Sequence, residues 1–242
     1  MNPLERIASR PHAAGVFLDF DGSLSEIVPT PGEARPVAGT RQVLTDLALR
    51  YRLVAVVSGR RTEELRWLID VEGIAYEGLY GLEAGSAQAP EGLIETVESL
   101  AQVVPGARVE EKGLSVAVHY RGAPDPEAAR RRLLRGLAAL GADAGMELLE
   151  GKMVLELVPA GETRKGGAIR RLAAGAELEA ALYAGDDLPD LEAFGELDRL
   201  AGEGMATVKV AVAGPETSDE LVNAADVVVD GPVGLVELLR SL

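Results

Sequence analysis

Short apolar runs alternate with longer amphipathic segments along most of this chain. The runs at residues 15–20 and 53–57 are almost entirely apolar, which is typical of strands that are covered on both faces. Between them, residues 40–51 place apolar side chains on one face of a helix. Strands that alternate with helices in this way predict an α/β fold with a Rossmann-like, mainly parallel sheet between helical layers.

The same alternation returns in the last third of the chain. Strands are predicted at residues 181–184, 208–212 and 227–229, with helices that begin near Arg164, Pro189 and Thr217 and a final helix at 233–242. Because these segments continue the parallel pattern, we assign residues 1–106 and 159–242 to one core domain.

Residues 107–158 follow a different pattern. Ser115 to Tyr120 and Met153 to Val158 alternate in size and polarity, which is typical of a sheet with one polar face. Pro105-Gly106 and Pro159-Ala160-Gly161 are breaker sequences at the two ends of this region. We therefore predict an inserted α+β cap at residues 107–158.

A helix is predicted inside this cap. Asp125 is suited to the N-cap position and Pro126 to the first helical turn. Gly141 is predicted to end the helix, since glycine is common directly after a helical segment.

The composition excludes several classes of protein. The chain has 242 residues, 24 Lys and Arg against 39 Asp and Glu, a net charge of −15, two histidines and no cysteine. Disulfides, thiolate nucleophiles and cysteine metal sites are therefore excluded. The acidic charge argues against nucleic-acid and anionic-membrane partners, because it repels polyanions. A phosphate substrate would meet the same repulsion unless a local positive site or a metal attracted it.

The chain shows no membrane or export signal. Its apolar runs are far shorter than the roughly 18 residues that a membrane span needs. The first ten residues include Glu5, Arg6 and Arg10, which do not fit a signal peptide. We expect a cytoplasmic protein, and we expect it to be a monomer.

Polar side chains follow the first two predicted strands. Asp19 and Asp21 come at the end of the first strand, and Ser58 follows the second. Ligands of open α/β sheets bind at the carboxyl ends of the strands. Asp21-Gly22 alone is equally compatible with an ordinary turn, and Ser58-Gly59 with a plain connection to a helix.

Two further polar segments belong to the same predicted edge. Lys165 lies at a predicted helix start, where the helix N-terminus adds partial positive charge. Asp186 and Asp187 follow the strand at 181–184, with Asp190 shortly after. Acidic residues are common in first helical turns for capping alone, but carboxylates beside Asp19 are also the oxygen ligands that Mg²⁺ prefers.

The order of these segments resembles the four motifs of the haloacid-dehalogenase superfamily of phosphatases. The rest of the chain from Val16 onward is similar to the trehalose-6-phosphate phosphatases within it. The segments that carry this resemblance are Leu18-Asp19-Phe20-Asp21-Gly22-Ser23-Leu24, Val57-Ser58-Gly59-Arg60, Gly81-Leu82-Glu83, Glu111-Lys112, His119-Tyr120-Arg121, Gly151-Lys152 and Gly185-Asp186-Asp187.

The resemblance implies a mechanism for the core. Mg²⁺ would be held by the carboxylates of Asp19 and Asp186 and by the main-chain carbonyl of Asp21. Asp19 would attack phosphorus to form an aspartyl-phosphate, with Asp21 as general acid and then general base. The phosphoryl oxygens would be bound by Ser58 and Lys165. Asp187 and Asp190 would surround the metal or the lysine without direct ligation.

The resemblance also assigns the substrate and the residues that contact it. Hydroxyl groups of trehalose 6-phosphate, a small-molecule sugar phosphate, would be contacted by Glu83, Glu110, Lys112, Arg121, Lys152 and Glu156. Without the resemblance, these residues would be read as surface charge on a polar sheet face. Two alternatives remain: a phosphatase of the same fold for a glucosylglycerate or sucrose phosphate, and a non-catalytic sugar-phosphate sensor, which the presence of both Asp19 and Asp21 disfavours.

Overall fold

The computed structural model describes residues 3–84, 90–160 and 165–242. Two compact units are present, one formed by Met1–Gly81 and Thr163–Leu242 and the other by Leu82–Glu162. Two predicted features lie at least partly outside the described residues. These are Gly161, the last residue of the breaker sequence that ends the predicted cap, and the helix start near Arg164.

The strands and helices of the described residues have the following bounds. The strands are β1 (Ala14–Leu18), β2 (Leu53–Val57), β3 (Ala75–Glu77), β4 (Arg108–Glu111), β5 (Val116–His119), β6 (Met146–Gly151), β7 (Val154–Pro159), β8 (Ala180–Gly185), β9 (Ala206–Ala213) and β10 (Val227–Asp230). The α-helices are α1 (Pro3–Ala8), α2 (Thr40–Arg50), α3 (Thr62–Ile69), α4 (Leu93–Gln102), α5 (Pro126–Ala144), α6 (Lys165–Gly175), α7 (Asp190–Gly202), α8 (Asp219–Ala224) and α9 (Gly231–Arg240). Short 3₁₀ helices lie at Pro11–Ala13, Pro31–Glu33 and Leu79–Ala84.

The first unit contains a six-stranded sheet in the order β10-β9-β8-β1-β2-β3. Every neighbouring pair in this sheet is parallel, as the sequence predicts. In the register, Leu18 of β1 lies opposite Val56 of β2 and Ala184 of β8. The carboxyl ends of these three strands therefore meet at one edge, and the residues that follow them are neighbours.

Apolar side chains cover both faces of this sheet. Alternate residues of β1 point to opposite sides, so Val16 and Leu18 enter one buried cluster while Phe17 enters another. The first cluster includes residues of α2, α3 and α9, and the second includes residues of α6, α7 and α8. Both layers consist mainly of Leu, Val, Ala and Ile, which agrees with an aromatic content of only 4%.

The second unit contains a four-stranded antiparallel sheet in the order β4-β5-β7-β6. Side chains of β5 and β7 that point to one face form an apolar cluster with α4 and α5. Because α4 packs in this cluster, the unit begins at Leu82 rather than at the predicted residue 107. Glu156 of β7 alternates with the clustered Leu155 and Leu157, so its side chain belongs to the other face.

The helix of this unit starts as predicted but ends later. The Asp125 carboxylate accepts a hydrogen bond from the Ala128 amide as an N-cap. Gly141 does not end the helix; α5 continues to Ala144, and Gly145 at φ 66° follows it. Glycine occurs at position 141 for a different reason, since an added Cβ there would lie 2.9 Å from Leu157 Cδ2 and 3.0 Å from the Met146 carbonyl oxygen.

Several short elements have no counterpart among the predicted segments. These are α1, β3, β4 and β6. β3 has only three residues, and β4 carries three charged residues among four, so neither gives a clear apolar signal. Their strand conformation depends on pairing with β2 and β5, which a local pattern does not reveal.

Within the described ranges, every helix is too short or too polar to reach across a lipid bilayer.

The close packing around Gly141 predicts that a larger side chain at this position would destabilise the protein. Gly141→Ala should destabilise the protein by about 1–3 kcal/mol, because the methyl group overpacks the junction between α5 and the sheet. Gly195→Ala is the matched control: an added Cβ in α7 has no neighbour within 4 Å, and alanine should stabilise that helix by about 0.5–1 kcal/mol. Urea unfolding of both variants measures these opposite shifts, and equal shifts would contradict the packing argument.

Candidate active site

The first strand and the central strand β8 bring two carboxylates to one edge of the sheet. Asp19 follows β1, and its amide donates a hydrogen bond to the Ala184 carbonyl at 2.9 Å. Asp186 comes directly after β8. Asp19 and Asp186 are 5% and 1% exposed, so this edge of the sheet holds two buried acidic residues.

Lys165 balances part of this negative charge. It lies in the first turn of α6, is 3% exposed, and donates from Nζ to Asp19 Oδ1 at 2.7 Å and to Asp190 Oδ1 at 2.6 Å. Burial lowers the pKa of Lys165, but the two carboxylates outweigh burial and hold that pKa well above its ordinary value. The ammonium group is therefore charged and bridges the residue after β1 to the first residue of α7.

Asp190 accepts hydrogen bonds on both of its carboxylate oxygens. Its Oδ1 accepts from Lys165 and from the Tyr183 hydroxyl at 2.5 Å, and its Oδ2 accepts from the Asp186 and Asp187 amides at 2.9 and 3.0 Å. Four donors on two oxygens leave this carboxylate suited to orienting its neighbours. Asp190 fixes both the lysine and the backbone that carries Asp186.

Tyr183 supports Asp190 from inside the sheet. Its side chain is fully buried in β8, and its ring meets Phe194 of α7 edge to face, with 6.2 Å between the ring centroids. Burial, together with the charge of Asp190, raises the pKa of Tyr183 well above its ordinary value. The hydroxyl is therefore a neutral donor, and the packing of its ring keeps it aimed at Asp190.

Burial makes the charged form of Asp19 unfavourable. Burial raises its pKa from 3.8 to about 7, with a smaller contribution from Asp190, although Lys165 opposes the shift. Three carboxylates, Asp19, Asp186 and Asp190, have oxygens within 4.8 Å of one another. Such a concentration of buried acid is relieved by a bound cation as well as by protonation.

The donor set at this point fits a hard cation. Carboxylate oxygens are the ligands that Mg²⁺ and Ca²⁺ prefer, and the cluster offers them without nitrogen or sulfur. Both oxygens of Asp190 already accept two hydrogen bonds each. The family resemblance implies Asp19 and Asp186 as the carboxylate ligands of Mg²⁺, with Asp190 beside them.

The loop after β1 leaves room for Asp186. Gly22 has φ +87°, and a Cβ at that position would lie 1.9 Å from Asp186 Oδ2. Ser23 Oγ contacts Asp186 Oδ1 at 3.4 Å. The glycine in Asp21-Gly22 is therefore required by backbone conformation and by the close approach of the carboxylate.

Ser58 occupies the corresponding place after β2. It is 1% exposed, its amide donates to the Glu77 carbonyl at 3.0 Å, and its Oγ accepts from the Arg60 amide at 3.3 Å. Since β2 neighbours β1 in the sheet, Ser58 lies at the same edge as Asp19.

Asp21 has a partner that the sequence analysis does not predict. Both of its carboxylate oxygens accept from the Arg60 guanidinium: Nε donates to Oδ2 at 2.7 Å and Nη2 to Oδ1 at 2.8 Å. The Arg60 side chain is 7% exposed, whereas that of Asp21 is 37% exposed. The predicted general acid is thus the more accessible member of a two-point ion pair.

In the second unit, Glu156 is the centre of a polar cluster. This residue is 2% exposed; its Oε1 accepts from Ser115 Oγ at 2.5 Å and its Oε2 from Lys112 Nζ at 3.1 Å. Lys112 and Glu156 were both predicted as substrate contacts, and the structure brings them together. Ser115 was not among the predicted site residues.

The other predicted contacts of this unit are distributed more widely. Glu110 pairs with His119 at 2.7 Å between Oε2 and Nε2. Arg121 Nη2 donates to the Lys152 carbonyl at 3.3 Å, so it meets the backbone of Lys152. Glu83 lies in the 3₁₀ helix Leu79–Ala84 and is exposed.

Comparison with known proteins identifies the family of this chain. A family model described as "Trehalose-phosphatase" matches residues 17–227. The chain belongs to the trehalose-phosphatase family. A "Trehalose-phosphate phosphatase" of Mycobacterium avium (strain 104) is 35% identical over 251 residues, covering 94% of this chain and 61% of the relative. This membership confirms the predicted resemblance to the trehalose-6-phosphate phosphatases at the level of the family.

The curated relatives also differ from this chain in length. An "Uncharacterized glycosyl hydrolase" of Mycobacterium tuberculosis is 36% identical over 211 residues, covering 78% of this chain but only 16% of that protein. The match therefore covers less than two thirds of the length of both of these curated relatives, 16% of the Mycobacterium tuberculosis protein and 61% of the Mycobacterium avium phosphatase.

Solved structures share the fold of this trehalose-phosphatase family member. The C-terminal domain of Candida albicans trehalose-6-phosphate phosphatase superposes with a TM-score of 0.85 at 21% identity, covering 100% of this chain and 96% of that chain. A phosphatase of the haloalkanoate (HAD) superfamily from Bacteroides thetaiotaomicron gives a TM-score of 0.62 at 15% identity, covering 95% of each chain. Both likenesses concern the fold, an α/β core with a cap.

From the sequence alone, no role is assigned to three residues of the described clusters: Arg60, Ser115 and Tyr183. Arg60 follows Ser58-Gly59 directly, so a cation at the predicted ligand edge of an acidic chain was a usable signal. Tyr183 gave no such signal, because a tyrosine inside an apolar strand resembles any core aromatic residue.

The raised pKa of Asp19 predicts a pH-dependent cost of folding. Because folding raises the pKa of Asp19 from 3.8 to about 7, the folded protein should lose stability as the pH rises from 3.8 to about 7, and the full cost remains above that range. In EDTA, Asp19→Asn should therefore raise the melting temperature more at pH 8 than at pH 5. Asp143→Asn on the exposed side of α5 is the matched control and should show no such difference. Equal shifts at both pH values for Asp19→Asn would contradict the burial cost.

Proposed function

We propose that this chain hydrolyses trehalose 6-phosphate to trehalose and phosphate with Mg²⁺ as its cofactor. The observation that carries the proposal is the buried Asp19 carboxylate, held by Lys165 at 2.7 Å and clustered with Asp186. Membership of the trehalose-phosphatase family supports the reaction class, and the relatives' names suggest the sugar.

Asp19 is the proposed nucleophile. Lys165 holds its Oδ1, so the orientation of the carboxylate is set before a substrate arrives. An Asp19 oxygen would attack phosphorus, the bond from phosphorus to the sugar oxygen would break, and an aspartyl-phosphate would form. The absence of cysteine and the placement of Asp19 at the ligand edge of the sheet support this choice.

Positive charge for the phosphate would come from chain residues and from the cofactor. Lys165 and Ser58 are the proposed donors to the phosphoryl oxygens, and both lie at the edge where Asp19 is found. Asp19 and Asp186 would hold Mg²⁺ together with the main-chain carbonyl of Asp21. The cation would neutralise phosphate charge that otherwise repels a carboxylate nucleophile.

Asp21 is the proposed acid and base. As an acid, it would give a proton to the departing sugar oxygen. The carboxylate left behind would take a proton from the water that attacks the aspartyl-phosphate, releasing phosphate and restoring Asp19. Such proton transfers contribute about 100- to 10,000-fold in rate. The 37% exposure of the Asp21 side chain supports access to a bound substrate.

Recognition of the sugar is proposed for the second unit. Glu156 combines a buried charge with two hydrogen-bonded partners, Lys112 and Ser115, which keep its carboxylate in one orientation. A fixed polar group discriminates among sugars, because a substrate without the matching hydroxyl leaves it unpaired. Glu83, Glu110, Arg121 and Lys152 are proposed as further hydroxyl contacts.

Phosphate release from a panel of phosphate esters tests this function. The panel contains trehalose 6-phosphate, sucrose and glucosylglycerate phosphates, glucose 6-phosphate and p-nitrophenyl phosphate, each with Mg²⁺ or with EDTA. We expect the highest kcat/KM for trehalose 6-phosphate, loss of turnover in EDTA, and no turnover by Asp19→Asn. Asp143→Asn should retain full activity. A preference for another sugar phosphate would contradict the substrate, and a fully active Asp19→Asn protein would contradict the nucleophile.

The proposed role of Glu156 predicts a loss that depends on the substrate. Glu156→Gln should lower kcat/KM for trehalose 6-phosphate at least about tenfold, since one charged hydrogen bond contributes about 1.5–3 kcal/mol. Hydrolysis of p-nitrophenyl phosphate, which lacks a sugar, should change little. Glu147→Gln, on the exposed side of β6, controls for loss of an acidic residue. Equal losses on both substrates would indicate a structural role and contradict sugar recognition.

A further inference from the structure

The ion pair between Arg60 and Asp21 joins two loops at the ligand edge of the sheet. Arg60 lies after β2 and Asp21 after β1, and the guanidinium donates to both carboxylate oxygens of Asp21 at 2.7 and 2.8 Å. Paired N–H donors in this geometry fix the plane of a carboxylate as well as its position. A lysine with a single point of contact would not do so.

Other contacts fix Arg60 itself. Its Nη2 also donates to the Pro31 carbonyl at 2.9 Å, and its Nη1 pairs with Glu64 in α3. The guanidinium carbon lies 5.3 Å from the centroid of the Phe20 ring, within the range of a cation–π contact. An arginine with an exposure of only 7% and four kinds of partner has little freedom to move, so it is a rigid support for Asp21.

We propose that Arg60 is a positioning residue for Asp21, which it holds in the orientation needed for proton transfer to and from the reacting oxygens. This inference rests on the proposed function, because it assumes that Asp21 is the acid and base. Asp21 is partly exposed in a loop, so without the paired donors its side chain would sample other rotamers. Misplacement of a reacting group by about 1 Å costs on the order of 100-fold in rate.

A leaving-group comparison separates this role from phosphate binding and from general stability. Departure of p-nitrophenolate needs no proton, whereas departure of a sugar alkoxide does. In Arg60→Met, the first turnover of p-nitrophenyl phosphate should stay near the wild-type rate. The first turnover of trehalose 6-phosphate, or of the unactivated phosphate that the wild type hydrolyses best, should fall about 10- to 100-fold with little change in KM. Rapid-quench measurement with enzyme in excess gives both rates.

The second half of the reaction provides an additional readout. Hydrolysis of the aspartyl-phosphate needs Asp21 as a base whichever substrate formed it. Arg60→Met should therefore give a burst of one p-nitrophenolate per enzyme, followed by slow turnover. Arg60→Lys keeps the charge but loses the two-point contact, so it should show the same burst. Arg61→Met removes an exposed arginine from the same loop and should behave as the wild type.

A double-mutant comparison tests whether Arg60 acts through Asp21. Adding Arg60→Met to Asp21→Asn should cause no further loss on trehalose 6-phosphate, because the group being positioned is already gone. Losses that multiply, or a raised KM with a slow first turnover on p-nitrophenyl phosphate, would overturn the proposal in favour of phosphate binding or general disruption. Melting temperatures and inorganic phosphate binding check that each variant remains folded.

The two proposals fail in different ways. A wild-type protein that hydrolyses none of these phosphates contradicts the proposed function and the role of Arg60 with it. An active wild type whose Arg60→Met variant is slowed equally in the first turnover of both substrates contradicts the role of Arg60 alone.

Discussion

The bridge from Lys165 to Asp19 and Asp190 is the interaction on which the ligand edge of the core depends. The buried ammonium group of Lys165, on α6, donates hydrogen bonds to Asp19 after β1 and to Asp190 at the start of α7. Asp190 then hydrogen-bonds the amides of Asp186 and Asp187, and Tyr183 holds Asp190 from β8. Removal of the lysine would leave buried carboxylates without their counter-charge, which is among the costliest changes a core can undergo.

This arrangement explains how an acidic chain can belong to a phosphatase family. The net charge of −15 describes the whole molecule, but the chemistry depends on local charge. Asp19, Asp186 and Asp190 concentrate acid around Lys165, and burial raises the pKa of Asp19 to about 7. Burying these carboxylates together therefore lowers the stability of the folded protein, and a bound cation would offset that cost by neutralising their charge. The burial cost thus falls on the residue that we propose as the nucleophile.

Much of the fold and the core cluster could be predicted from sequence because each depends on local pattern. Strand ends are visible in apolar runs, and parallel pairing brings Asp19, Ser58 and Asp186 to one edge without further information. The partners of these residues could not be predicted in the same way. The bond between Tyr183 and Asp190 and the contact that requires Gly141 are products of packing, and the pairing of Asp21 with Arg60 depends on loop conformation. Family resemblance adds the cap residues, whose charges alone would indicate an ordinary surface.

The proposed mechanism requires a covalent bond between Asp19 and phosphorus. Acid quenching during turnover, followed by peptide mass spectrometry, detects this bond in the wild type with trehalose 6-phosphate. With p-nitrophenyl phosphate, whose leaving group needs no proton, Asp21→Asn should increase the trapped fraction by slowing hydrolysis of the intermediate. We expect one added phosphoryl group on the peptide that contains Asp19, at Asp19 itself, and none in the Asp19→Asn protein. Turnover without a trapped phosphoryl group in either the wild type or Asp21→Asn, or a phosphoryl group on another residue, would contradict this mechanism.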